Sequence, residues 1–223
     1  MTQWVVFIPR NEAVANTKDV DQNPSLVGQA TAWISHSKNK LVPERILRAG
    51  QTLPVTVLTA PATSLYIMGG HGKEGRNYLT WPGESNPLCC HQLGDLLQTA
   101  GLPLTYSGKV KVYSCLSADG KGSAIAFAKL FAQYMAHLGY RSCSIWGYTG
   151  AVSKGYVNSG SKEEPIGIVK STQFKRPEER NQGYHRYATE TGGYGTRAKA
   201  ARREFTDKST IVTIAHCSVC NRF

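Results

Sequence analysis

The chain contains no apolar run approaching the roughly 20 residues of a membrane-spanning helix, so no transmembrane segment is expected. Its start, M-T-Q-W-V-V-F-I-P, lacks the basic residues, long apolar middle and small-residue cleavage site of a secretory leader. The expected location is therefore the cytoplasm of the producing cell, or outside it by a non-classical route. A P-loop G-x-x-x-x-G-K-[S/T] is missing, and nucleotide-dependent chemistry is not expected. Internal repeats and low-complexity tracts are missing too, which excludes a solenoid or a disordered array. Acidic side chains are scarce: 15 Asp and Glu stand against 26 Lys and Arg, a formal net charge of +11. Such an excess calls for an anionic partner, whether nucleic acid, an acidic membrane surface or a polyphosphate, and charge alone does not choose among them.

What is present suits a folded protein. At 223 residues, with 41% apolar and 18% charged, the chain can bury one sizeable core. The expected organisation is a core over residues 1–150 and a basic extension over 151–223 in the same domain. The six cysteines, without a leader, argue for thiols in a reducing compartment rather than a disulfide framework. His216-Cys217-Ser-Val-Cys220 holds one C-x-x-C, and Cys89-Cys90-His91 offers a second half of a zinc site. The two halves have no standard spacing, so no metal is assigned.

The organising stretch is 65–115. It opens with S-L-Y-I-M-G-G-H-G-K-E-G, an uninterrupted apolar run closed by glycines, which suits a central strand buried on both faces. It ends with G-K-V-K-V-Y-S-C, a second strand over 110–114 with Lys109 and Lys111 outside the apolar pair Val110 and Val112. Between them, residues 88–100 place Leu93, Leu96 and Leu97 at helical spacing, with Gly101 and Pro103 as a stop. Strand, helix, strand makes a right-handed crossover with parallel strands. His71 and Cys115 would then sit side by side at carboxyl ends of neighbouring strands, where open α/β sheets place their sites. A thiol beside an imidazole is the arrangement that yields a thiolate nucleophile.

Further strands are expected over 3–8, 26–35, 53–59, 142–149, 166–171 and 210–215. Helices are expected over 123–138, whose Ile125, Phe127, Leu130, Phe131, Tyr134 and Leu138 share one face, and over 196–205. The loop 70–87, rich in glycine and proline, should be exposed and able to move near the site.

The motifs I-M-G-G-H-G, V-Y-S-C and I-W-G-Y-T-G, in that order over roughly 65–150, resemble the clan CD cysteine peptidases, among them caspases, gingipains, legumain and the self-cleaving peptidase domains of large toxins. The resemblance implies a caspase-like α/β sandwich with a mostly parallel central sheet flanked by helices and a C-terminal β-flap. It implies an endopeptidase in which His71 is the imidazole, Cys115 the nucleophile, and the N–H of Gly72, with that of Cys115, the oxyanion site. Trp146, Gly147 and Tyr148 would form a wall of the substrate pocket. Tyr113-Ser114 stands where caspases have Gln-Ala, so aspartate specificity does not follow, and the toxin-type domains are the nearer match. Those domains are switched on by inositol hexakisphosphate; here Lys170, Lys175, Arg176, Arg180, Arg197, Lys199, Arg202 and Arg203 occupy the corresponding region. The implied protein is a bacterial effector or toxin acting in host cytosol on a protein substrate, itself included.

Each feature has a plainer reading: a loop histidine, an inert buried thiol, core aromatics, a solvated charged face. The alternative function is a non-catalytic caspase-like module whose basic tail binds nucleic acid or acidic membrane. A third class, a zinc-binding nucleic-acid protein, predicts stoichiometric metal.

Overall fold

The computed structural model describes residues 4–18, 25–35, 46–58, 63–149, 151–153, 157–159, 162–164, 169–171, 173–174, 187–188, 202–206, 217 and 219–221. The central sheet is built from β1 (Trp4–Ile8), β2 (Ile46–Arg48), β3 (Ser64–Ile67), β6 (Lys109–Val112), β7 (Ser144–Tyr148) and β14 (Arg202–Phe205). Their order is β14-β7-β6-β3-β1-β2, parallel throughout except that β14 runs antiparallel to β7. The chain is thus mixed α/β with a mostly parallel six-stranded sheet.

Helices α1 (Glu12–Asn16) and α2 (Leu26–Ser35) lead from β1 to β2 on one side. The chain then reverses: α3 (Val55–Leu58), α4 (Cys90–Thr99) and α5 (Phe127–His137) lead successively to β3, β6 and β7 on the other side of β1. Because crossovers keep one hand, reversing direction along the sheet puts the two helix sets on opposite faces. Strand alternation serves both. Phe7, Leu65, Ile67, Val110, Val112 and Ile145 face Leu93, Leu97, Phe127 and Phe131 of α4 and α5. Trp4, Val6, Ile8, Tyr113 and Tyr148 belong to a second cluster with Ala15, Leu26 and Ala30 of α1 and α2. Burying each large apolar side chain of this kind contributes about 1.5–3 kcal/mol.

Between β3 and α4 lies a two-stranded ladder of β4 (Tyr78–Leu79) and β5 (Leu88–Cys89). After β7, residues 151–188 contribute three antiparallel pairs: β8 (Ala151–Ser153) with β11 (Val169–Ser171), β9 (Val157–Ser159) with β10 (Lys162–Glu164), and β12 (Gln173–Phe174) with β13 (Tyr187–Ala188).

Several sequence expectations are corrected. Residues 26–35 form helix α2, not a strand: Ser25 caps it, its Oγ accepting from the Gly28 N–H at 3.1 Å and its carbonyl from Gln29 at 2.8 Å. Within 53–59, Val55–Leu58 make a short helix entered from Pro54, whose carbonyl accepts from Val57 and Leu58. The helix over 123–138 starts later, at Phe127, since Lys121 and Ala124 first close a turn by bridging each other. Of the helix expected over 196–205, Arg202–Phe205 is instead a strand, its backbone satisfied by the free edge of β7. That edge overrides local helix propensity. The strand expected over 210–215 lies outside the described residues. Among the described residues no helix is long and apolar enough to cross a membrane.

Candidate active site and a cysteine-histidine cluster

Strands β3 and β6 pair in register, Ile67 opposite Val112, so the segments leaving their carboxyl ends begin level. Gly72 and Cys115 meet there: a Cβ on Gly72 would fall inside van der Waals distance of the Cys115 carbonyl oxygen and 3.4 Å from the Ser114 Cβ. Only a residue without a side chain lets the two backbones approach this closely. Gly70, at φ +111°, performs the same service against the Thr80 carbonyl.

His71, between these glycines, is exposed and anchored by its backbone: its N–H donates to Thr80 at 2.8 Å and its carbonyl accepts from Thr80 at 3.0 Å. Its ring stacks on Trp81, with centroids 5.1 Å apart and 17° between planes. Trp81 is itself fixed, donating from Nε1 to the Thr17 carbonyl at 3.1 Å. Arg10, 3% exposed, holds this loop from below. Its Nε and Nη2 donate to Gly69 at 3.3 and 3.0 Å, Nη2 also to Leu79 at 3.2 Å, and Nη1 pairs with Glu84. Burial pulls the Arg10 pKa down and pushes the Glu84 carboxyl up, each partly offset by the other's charge.

Cys115 is half-buried and opens a sharp turn, because Leu116 takes the left-handed φ of 54°. The turn is stapled to both neighbouring strands: Ser117 Oγ donates to Val112 at 3.0 Å and accepts from the Tyr148 N–H at 2.9 Å. Cys89, Cys90, Cys143 and Cys217 are buried by comparison. Burial pushes the Cys90 thiol far up, so it stays protonated and inert.

The other expected residues are placed as follows. Tyr148 is buried, edge-on to Tyr113 with centroids 5.4 Å apart. Gly147 lies under α5, where a Cβ would stand 2.7 Å from that of Ala128. Trp146 is half-buried between two cations, with Arg202 4.7 Å and Lys109 5.6 Å from its ring centroid. Arg203 is exposed on β14 and Lys170 lies in β11. Lys175, Arg176, Arg180, Arg197 and Lys199 lie outside the described residues.

Lys111, expected outside the apolar pair Val110 and Val112, is 6% exposed. Its Nζ donates to Ser64 Oγ at 3.0 Å and Tyr66 Oη at 2.8 Å, 4.3 Å from the Tyr66 ring centroid. Burial first, then the charges of Arg202 and Lys109, bring its pKa down to about 7. Lys109, Lys111, Trp146 and Arg202 therefore form one cationic, aromatic patch spanning β6, β7 and β14.

Residues 70–75 spell G-x-G-x-x-G after β3, but the segment continues into a turn and then β4 rather than into a helix. The dinucleotide fingerprint requires that helix N-terminus for the pyrophosphate, so its structural context is missing.

A second constellation lies at the start of α4. Cys89, His91, Cys217 and Cys220 converge so that one potential ligand atom from each lies within 4.8 Å of all the others. Cys89 is the N-cap, its Sγ accepting from the Gln92 N–H at 3.4 Å while Gln92 Oε1 accepts from the Cys89 N–H at 3.0 Å. His91 Nδ1 lies 3.3 Å from Cys220 Sγ, and the His91 ring meets Tyr134 of α5 edge-on at 4.6 Å. Tyr134 is held in turn by Asp95 at 2.6 Å. Burial drives Cys89 up to about 12. Burial also opposes a Cys217 thiolate, but the backbone N–H groups of Cys220 and Val219 and the neighbouring thiols outweigh it, and its pKa falls. The sequence contains both halves, yet His91 and Cys220 are 129 positions apart and only the fold joins them.

No protein-family model matches the chain, and no curated protein is similar to it.

Proposed function

We propose that the chain is a caspase-like cysteine endopeptidase in which His71 and Cys115 form the dyad. The observation that carries this reading is the contact of Gly72 with the Cys115 carbonyl at the carboxyl ends of adjacent parallel strands. It joins the segment bearing the imidazole to the segment bearing the half-buried thiol. His71 takes the thiol proton, and the thiolate adds to the peptide carbonyl. The N–H groups of Gly72 and Cys115 receive the oxyanion. His71 then returns the proton to the leaving amine, and water hydrolyses the resulting thioester.

In this reading Trp146 borders the substrate, and the basic residues of 151–223 answer to a polyanion such as inositol hexakisphosphate in the cytosol of a eukaryotic host. The cationic patch of Lys109, Lys111 and Arg202 supports the polyanion. Burial first, then the charges of Arg202 and Lys109, hold down the proton affinity of Lys111, and a phosphate beside it would relieve that.

The test is proteolysis of a mixed peptide library with and without inositol hexakisphosphate. The wild type should cleave, while Cys115→Ala and His71→Ala should be inactive yet folded. Undiminished cleavage by Cys115→Ala would remove the proposal.

The same patch also favours a second reading, a non-catalytic module that binds nucleic acid or acidic membrane, since charge needs no thiol. Iodoacetamide separates the two: the peptidase must be alkylated at Cys115 ahead of its other cysteines, the module need not be.

A further inference from the structure

We propose that Cys89, His91, Cys217 and Cys220 bind one structural zinc ion, which ties the C-terminal turn to the start of α4. Three sulfurs and one imidazole nitrogen are a donor set that favours zinc over magnesium or calcium. With Zn–S and Zn–N bonds of about 2.3 and 2.0 Å, the edges of a tetrahedral site are roughly 3.5–3.8 Å long. The four donors already lie within 4.8 Å of one another, and the His91 Nδ1 to Cys220 Sγ separation of 3.3 Å is close to an edge. Rotamer adjustments of less than an ångström per ligand would close the site.

Independently of that spacing, backbone N–H groups are directed at two of the sulfurs. The Cys217–Asn221 turn is closed by the Asn221 N–H donating to the Cys217 carbonyl at 2.8 Å, and Asn221 takes the left-handed φ of 52° that asparagine tolerates. In this turn the N–H groups of Val219 and Cys220 are directed at the Cys217 sulfur. The Gln92 N–H is directed at the Cys89 sulfur, which also caps the positive end of a ten-residue helix. Tyr134, itself held by Asp95, packs edge-on against the His91 ring and limits its rotation. All four positions are taken by protein and three of the ligands are buried, which marks a structural rather than a catalytic site. The site needs neither His71 nor Cys115.

The experiment measures metal in the full chain purified under reducing conditions without chelator, followed by exchange of zinc for cobalt(II). One zinc per chain is expected in the wild type and in Cys115→Ala, so this result stands apart from the peptidase reading. Cobalt should give the intense visible bands of a tetrahedral thiolate site. Cys220→Ser and His91→Ala should each weaken zinc at least tenfold, whereas Cys143→Ser, a buried thiol outside the cluster, should not. A folded wild type that takes up neither zinc nor cobalt would overturn the proposal. So would full zinc affinity in Cys220→Ser, or a disulfide among Cys89, Cys217 and Cys220 in fresh reduced protein, seen as a mass two hydrogens lower. Should the variants fail to fold, the wild-type cobalt spectrum decides alone.

Discussion

Gly72 lies so close to the carbonyl oxygen of Cys115 that no Cβ fits between them. The obstructing atom is backbone and cannot swing away like a side-chain tip. Gly72→Ala must therefore separate the loop after β3 from the turn after β6. Overpacking of this kind costs about 1–3 kcal/mol, readable in urea denaturation. The larger effect is expected on the site: alkylation of Cys115 by iodoacetamide should slow at least tenfold at neutral pH. Wild-type alkylation in the variant would mean that the contact is a packing detail.

Arg10 gives the same loop its other support. Replacing it by Met removes the donors to Gly69 and Leu79 and strands the Glu84 carboxylate. Deleting one partner of a fully buried pair costs about 3–5 kcal/mol, and because Glu84 is only half-buried the loss here should fall below that. The double variant Arg10→Met, Glu84→Leu should recover part of that loss by removing the stranded charge. If it is no more stable than Arg10→Met, the carboxylate was not the source of the cost.

Much of this was legible in the sequence. The apolar blocks at 65–69 and 110–114, the intervening Leu93 and Leu97, and the glycines around His71 predict two parallel strand ends side by side, and β3 and β6 pair that way. Local signals misread, such as Ser25 as a cap and Pro54 at a helix entry, account for two helices taken as strands. The rest required tertiary structure. Lys111 alternates with Val110 and Val112 as an outward residue should, yet on its face of the sheet Tyr66 lies against it and only 6% of it is exposed. The cysteine-histidine cluster was visible as two halves, and no periodicity could have joined them.

Lys111 makes stability depend on pH with a definite sign. Its pKa falls from the ordinary 10.5 to about 7 on folding, through burial and then through Arg202 and Lys109. Between these values the unfolded chain binds the extra proton, so stability must rise with pH across that window and be flat for this group below it. The full gain is on the order of 5 kcal/mol. Lys111→Met should flatten the slope and be the more stable protein near pH 6. Parallel wild-type and variant curves in denaturant titrations from pH 6 to 10 would show that Lys111 keeps its ordinary pKa.

The same lysine offers a check on the polyanion. A phosphate cluster binding beside Lys109, Lys111 and Arg202 would favour the charged ammonium, so at pH 8 binding should be accompanied by proton uptake approaching one per chain. Calorimetry with inositol hexakisphosphate in two buffers of different ionisation enthalpy reads this directly. Arg202→Ala should weaken binding several-fold and reduce its salt dependence. Binding without proton uptake, unaffected by Arg202→Ala, would place the anion elsewhere.

Cys89 connects the proposed metal site to the proposed dyad through one short ladder. It pairs with Tyr78, Leu88 pairs with Leu79, and the next residue, Thr80, exchanges both backbone hydrogen bonds with His71. Zinc at Cys89 would thus clamp β5 from one end while His71 hangs from β4 at the other. Removing the metal with a strong chelator should speed amide hydrogen exchange at Thr80 and His71 and slow Cys115 alkylation. Restoring zinc should reverse both, whereas magnesium should not. The amides of β1 serve as the internal reference, since its parallel pairing with β2 and β3 does not involve the ladder. Exchange at Thr80 unchanged on chelation, with the metal demonstrably gone, would show that the cluster holds the C-terminal turn without steadying the imidazole.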